Sequence, residues 1–153
     1  TKIVWAAAWE AGQGAVFQID NVRFVGTAPT DGGGGGVGAS GPIAVLADGT
    51  LLDGATLVVD AQDGGDNAAV IAMAPSATDS TKNVIQISTN DSTKAAAWVA
   101  LDADISSMTD GNLVFDIYMV TAPTAAGDQG FEVKLESGSG YEAVPGYATA
   151  IGS

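Results

Sequence analysis

The chain has 153 residues, no cysteine and no histidine, and a formal charge of −13 from five Lys+Arg against eighteen Asp+Glu. That composition excludes disulfide scaffolds, thiolate zinc sites, Cys or His nucleophile systems and imidazole acid–base chemistry. It also makes nucleic acid and anionic membrane surfaces poor partners, because phosphate binding needs basic patches.

One domain is the expectation at this length, and 46% hydrophobic content suffices for a core. Only 7% of residues are aromatic and 15% charged, while Ala, Gly, Thr, Ser and Val abound. This mixture favours many short strands over long helices. No apolar run reaches the roughly 18 residues of a membrane span, so no membrane insertion is expected. The acid excess keeps the chain soluble and suits a salty exterior, where screening shortens self-repulsion. A solvated acidic surface explains that excess more simply than a dedicated cation-binding role.

In chain order, Ile3-Val-Trp-Ala-Ala-Ala-Trp9 reads as a strand with Ile3, Trp5, Ala7 and Trp9 on one side. A turn follows at Glu10-Ala-Gly-Gln-Gly14. In Ala15–Val25, Phe17 and Ile19 share one phase of a strand and Val22 and Phe24 the other. Strict alternation cannot bury all four on one face, so a β-bulge is predicted at Asp20-Asn21, re-aiming the Asp20 carboxylate. Residues 1–26 are therefore predicted to form a closing β-hairpin, and 27–42, with five consecutive glycines at Gly32–Gly36, a flexible linker.

A main β-sandwich is predicted over 43–153. Its first strands are Ile43–Leu46, Leu57–Val59, Ala69–Met73, Val84–Ser88 and Trp98–Leu101, punctuated by Asp48-Gly49, Asp53-Gly54 and Asn90-Asp-Ser92. Two later strands alternate most clearly. Leu113, Phe115, Ile117 and Met119 share a face opposite Asp116 and Tyr118, and Phe131, Val133 and Leu135 alternate with Glu132, Lys134 and Glu136. The fold class this predicts is all-β, an antiparallel β-sandwich. The closing strand stands first, so the chain is out of phase with its domain. It is either permuted or one period of a tandem array whose N-terminal hairpin fills a neighbour's open edge.

Phe17-Gln-Ile-Asp-Asn-Val-Arg-Phe24, followed by a Gly-rich segment, resembles the last strand of galactose-binding-like jelly-roll modules of secreted polysaccharide-degrading enzymes of marine bacteria. Ala97-Trp-Val-Ala-Leu101, Asp104-Ile-Ser and Gly111-Asn-Leu-Val-Phe-Asp-Ile-Tyr118 are similar to their middle strands. Phe131–Ser137 is similar to the strand that follows, and Thr1-Lys-Ile-Val-Trp-Ala to the penultimate one, which in the family comes late. The order departs from the family pattern, since the family's end stands at the front. The resemblance implies a jelly-roll, non-catalytic carbohydrate binding, secretion or display at the cell surface, and often a structural calcium ion.

Sugar binding needs aromatic faces beside carboxylate, amide or basic groups. Trp5 and Trp98 lie in apolar runs and read as core, whereas Trp9 at a turn and Tyr141 in a Gly/Ser loop read as exposed. Asp116 and Tyr118, with Glu132, Lys134 and Glu136 on the strand expected beside them, form the preferred sugar platform. A plain solvated sheet face would carry the same pattern.

Calcium takes about six to eight oxygen ligands. Asp60, Asp63, Asp66 and Asn67 cluster in one loop without EF-hand spacing, and an Asp/Gly turn has the same composition. The family pattern puts Asp20 first among ligands. No enzyme is expected, as nothing pairs Glu10, Glu132, Glu136 and Glu142 into an acid and a base or nucleophile. The glycine run is not a phosphate loop, because no Lys-Ser/Thr follows it. Two functions remain: a glycan-binding module carrying a parent protein to a polysaccharide, or a structural repeat of a fibre or adhesin joined by strand exchange between copies.

Overall fold

The computed structural model describes residues 2–7, 14–27, 43–60, 70–89, 95–100, 109–122, 130–137, 140–142 and 149–150. Within these, thirteen strands and no helix are present: β1 Lys2–Ala7, β2 Val16–Thr27, β3 Ile43–Ala44, β4 Leu46–Ala47, β5 Thr50–Leu51, β6 Thr56–Asp60, β7 Val70–Pro75, β8 Asn83–Ser88, β9 Ala95–Ala100, β10 Thr109–Thr121, β11 Gly130–Ser137, β12 Gly140–Glu142 and β13 Thr149–Ala150. None of the described residues forms a helix long and apolar enough to cross a membrane. The all-β expectation holds.

The strands form two antiparallel sheets and a small ladder. The first sheet runs β12-β11-β1-β9-β6 with β13 also on β11. The second runs β10-β2-β8-β7 with β3 also on β2, and β4 pairs with β5. Both sheets contribute to a single hydrophobic cluster: Ile3, Trp5 and Val99 from the first, and Phe17, Ile19, Val22, Phe24, Ile71, Ile85 and Ile87 from the second. Trp5 reaches across to Phe115 on β10, edge to face, with ring centroids 6.2 Å apart and planes at 78°. Such pairs add about 0.5–1.5 kcal/mol beyond area burial.

β1 and β2 do not make the expected hairpin. β1 lies between β11 and β9, and β2 lies between β10 and β8, so each is interior to a different sheet. The reason is the distribution of apolar side chains. Ile3 and Trp5 face Phe17, Ile19, Val22 and Phe24 across one core. Side by side in a hairpin, both sets would lie on one surface.

The phase change in β2 is a bulge. Arg23 pairs with Val114 and Asp20 with Asp116, so Asn21 and Val22 together oppose Phe115. The extra residue therefore sits at Asn21-Val22, one position along from the expected site. Asn21 takes φ 52°, the left-handed region that asparagine tolerates better than most residues. With that insertion Phe17, Ile19, Val22 and Phe24 are all buried.

The 43–55 segment is anchored on the same strand, as the Val45 amide donates to the Val22 carbonyl at 2.7 Å. Its Asp48-Gly49 turn has φ 49° and 75°, the two positive angles of a type I′ hairpin joining β4 to β5. A Cβ on Gly49 would come within 3.0 Å of the Asn83 backbone nitrogen. Space as well as φ therefore calls for glycine there.

Trp5 is fully buried, yet its indole Nε1 finds no hydrogen-bond partner among the described residues. A buried orphan donor costs about 1–3 kcal/mol. Trp5→Phe, which removes the donor and keeps a ring against Phe115, should therefore lower stability by no more than about 1 kcal/mol. Trp5→Ala should cost about 3–5 kcal/mol. Denaturant midpoints of the two variants check this, and equal losses would refute it.

Candidate functional site

The bulge leaves Asp20 on the outer face of the second sheet, directly across from Asp116. One step along, Tyr118 is registered with Gln18, and Gln18 with Gln86. Gln18, Asp20, Asp116 and Tyr118 line a cleft of about 270 Å³, together with Ser76 and Thr78 from the β7–β8 loop. Tyr118 is 50% exposed, so the cleft is open and its aromatic ring accessible.

Two carboxylates opposite each other on adjacent strands repel. Asn21 offsets this by bonding to both. Its backbone N–H donates to Asp20 Oδ1 at 2.7 Å, and its side-chain Nδ2 donates to Asp116 Oδ2 at 2.5 Å. The bulge residue thus bridges the acid pair, and Arg23 braces the bulge by donating to the Asn21 carbonyl at 3.1 Å.

The loop wall is held by Gln18, which is buried despite being polar. Its Nε2 donates to the Pro75 carbonyl and to Gln86 Oε1, both at 3.0 Å, and its Oε1 accepts the Ala77 N–H at 2.7 Å. The loop itself is closed by side-chain-to-backbone bonds. Ser76 Oγ accepts the N–H groups of Thr78 and Asp79 at 3.2 and 3.3 Å, and Asp79 Oδ1 accepts the Thr81 N–H and hydroxyl at 3.1 and 2.6 Å. Bonds from the Thr81 hydroxyl and N–H hold the Asp79 carboxyl below its ordinary range against an opposing desolvation, with a lesser contribution from the nearby Lys82 charge.

The structure redistributes the residues singled out from sequence. Asp20, expected as a metal ligand, and Asp116 and Tyr118, expected as a sugar platform, share one cleft. Glu132 and Lys134 do not join them. The neighbour of β10 is β2, and β11 lies in the first sheet, where Glu132 and Lys134 are registered with Ala6 and Val4. Alternation put Asp116 and Tyr118 on one exposed face but could not choose the neighbouring strand. Tyr141 is on β12, registered with Glu136. Trp9, Asp63 and Asp66 lie outside the described residues.

Asp60 ends β6, an edge strand of the first sheet, so Asp20 and Asp60 belong to different sheets. Among the described residues no group of three or more acidic side chains could hold a metal ion. Among the described residues, the carboxylate opposite Asp20 is that of Asp116. Gln18, Asn21, Ser76 and Thr78 were not anticipated as site residues. A lone glutamine between Phe17 and Ile19 in an otherwise apolar run is the signal that would have found the first of them. No protein-family model, curated protein or solved structure matches the chain.

The Asn21 bridge carries a measurable consequence. Asn21→Ala removes the amide and places alanine in the left-handed region, and should cost about 1–3 kcal/mol. Asn21→Gly keeps the backbone angle and loses only the side-chain bond, at about 1 kcal/mol or less. Urea unfolding of the two variants checks the ordering, and a glycine variant as weak as the alanine one would refute the account.

Proposed function

We propose that the chain is a non-catalytic carbohydrate-binding module of jelly-roll type, secreted or displayed at the cell surface, that brings a parent protein to a polysaccharide. The observation that carries this reading is the half-exposed Tyr118 ring beside Asp116, Asp20 and the Ser76 and Thr78 hydroxyls in one open cleft. An aromatic face suits the C–H side of a pyranose ring, and the carboxylates and hydroxyls around it suit the sugar's hydroxyl groups. The cleft does not wall off water, which favours binding over chemistry. The jelly-roll assignment draws on the way successive strands cross the core: β6 lies in the first sheet, β7 and β8 in the second, β9 in the first, β10 in the second and β11 in the first.

Retention on insoluble polysaccharides, or mobility shifts in glycan-containing gels, tests the reading. The intact chain should be held by at least one glycan, and Tyr118→Ala should weaken binding about tenfold or more, equivalent to about 1.4 kcal/mol, with an unchanged circular dichroism spectrum. Failure to bind any glycan in a broad panel would sink it.

A second reading, a fibre or adhesin repeat assembled by strand exchange, is favoured by one specific feature. One interior strand of each sheet comes from the single stretch 2–27, joined to the rest of the fold through the Gly-rich residues 28–42. Strands so connected can complete a neighbour's sheets as well as their own. That reading expects dimers or polymers in light scattering after size exclusion, rising with concentration. A monomer at every concentration rules it out.

A further inference from the structure

We propose that the cleft selects an uncharged, hydroxyl-rich glycan and turns away sulfated and uronate glycans, an inference that rests on the glycan-binding reading above. The hydrogen-bonding groups that line the cleft are unevenly committed. Both donors of the Gln18 amide are taken, by the Pro75 carbonyl and Gln86, and its oxygen is taken by the Ala77 N–H. The Asn21 N–H and one donor of its amide are bound to the two aspartates. Ser76 and Thr78 share a hydrogen bond at 3.0 Å, which occupies the proton of one of the two hydroxyls.

What remains for a ligand is mostly acceptor. The second oxygens of Asp20 and Asp116 receive no hydrogen bond from the described residues, and both residues line the same cleft. No lysine or arginine is among the described lining residues. A sugar hydroxyl can donate to these carboxylate oxygens and lay its ring on Tyr118. A sulfate or carboxylate cannot donate, would stand beside two acidic groups, and finds no cation among the described lining residues to offset them, the nearby Arg23 guanidinium being bonded to the Asn21 carbonyl. The formal charge of −13 adds a longer-range repulsion that salt screens.

The test compares the full chain with Asp116→Asn on four soluble polymers, one neutral, one bearing amines, one sulfated and one uronate, at low and at physiological salt. The neutral glycan should bind at least tenfold more tightly than the sulfated or uronate one. Asp116→Asn should narrow that ratio severalfold by removing one of the two charges. Equal or preferential binding of a sulfated or uronate glycan overturns the inference while leaving glycan binding itself intact. So does an unchanged ratio in Asp116→Asn. Binding confined to the amine-bearing polymer and abolished by salt also overturns it, in favour of bulk attraction to the acidic surface. Absence of binding to all four polymers removes the glycan-binding reading as well as this one.

Discussion

One inserted residue in β2 sets both the core and the site. Without the bulge at Asn21-Val22, strict alternation would turn either Phe17 and Ile19 or Val22 and Phe24 to solvent. Each such side chain is worth about 1.5–3 kcal/mol when buried. Placing asparagine in the left-handed region costs about 1–2 kcal/mol, well below the burial it allows. The balance therefore favours the bulge by a wide margin. The same insertion aligns Asp20 with Asp116 and puts the Asn21 amide where it can bond to both sides of the acid pair.

The strand that carries the bulge is also the most connected in the described structure. β2 pairs with β10, β8 and β3, and its Val22 carbonyl receives the Val45 amide. At its N-terminal end, Ala15 exchanges hydrogen bonds with the buried Thr89 at 2.9 and 3.1 Å. The floor of the cleft is thus built on an interior strand of the sheet, which is the more rigid arrangement for positioning side chains. The wall is a loop, but Gln18 ties it to that floor by accepting the Ala77 N–H and donating to the carbonyl of Pro75, where the loop begins, and it also donates to Gln86 on the neighbouring β8. A glutamine in an apolar strand is tolerated because its amide finds partners in Pro75, Ala77 and Gln86.

Much of this was legible in the residues. The double phase of Phe17, Ile19, Val22 and Phe24 predicted a bulge to within one residue, and the alternation of 112–120 and 131–136 predicted two long strands. Asp48-Gly49 announced a tight turn. What could not be read was which strand lies beside which. Alternation identifies the face a residue occupies, but neighbours in a sheet are chosen by the whole topology. Glu132 and Lys134 were accordingly grouped with Asp116, when the residue opposite Asp116 is Asp20. The same limit made residues 1–26 look like a hairpin. Two apolar strands near each other in sequence suggest a hairpin, and only the long-range ladders with β8, β9, β10 and β11 put each in its own sheet, so that their apolar residues meet across one core.

The acid pair is also where local rules and the fold disagree. Like charges directly across a ladder are unfavourable, and a left-handed non-glycine residue within a strand is uncommon. Here both occur at adjacent positions of β2, and a single asparagine makes the two tolerable together. Burial of the four apolar residues accounts for the bulge but not for the choice of aspartate at both 20 and 116, since a neutral pair would leave the core unchanged. The core therefore does not account for the carboxylates. Both line one cleft with Tyr118, Ser76 and Thr78, and one oxygen of each is bonded to Asn21, so the bulge that completes the core also fixes the acid pair at the cleft.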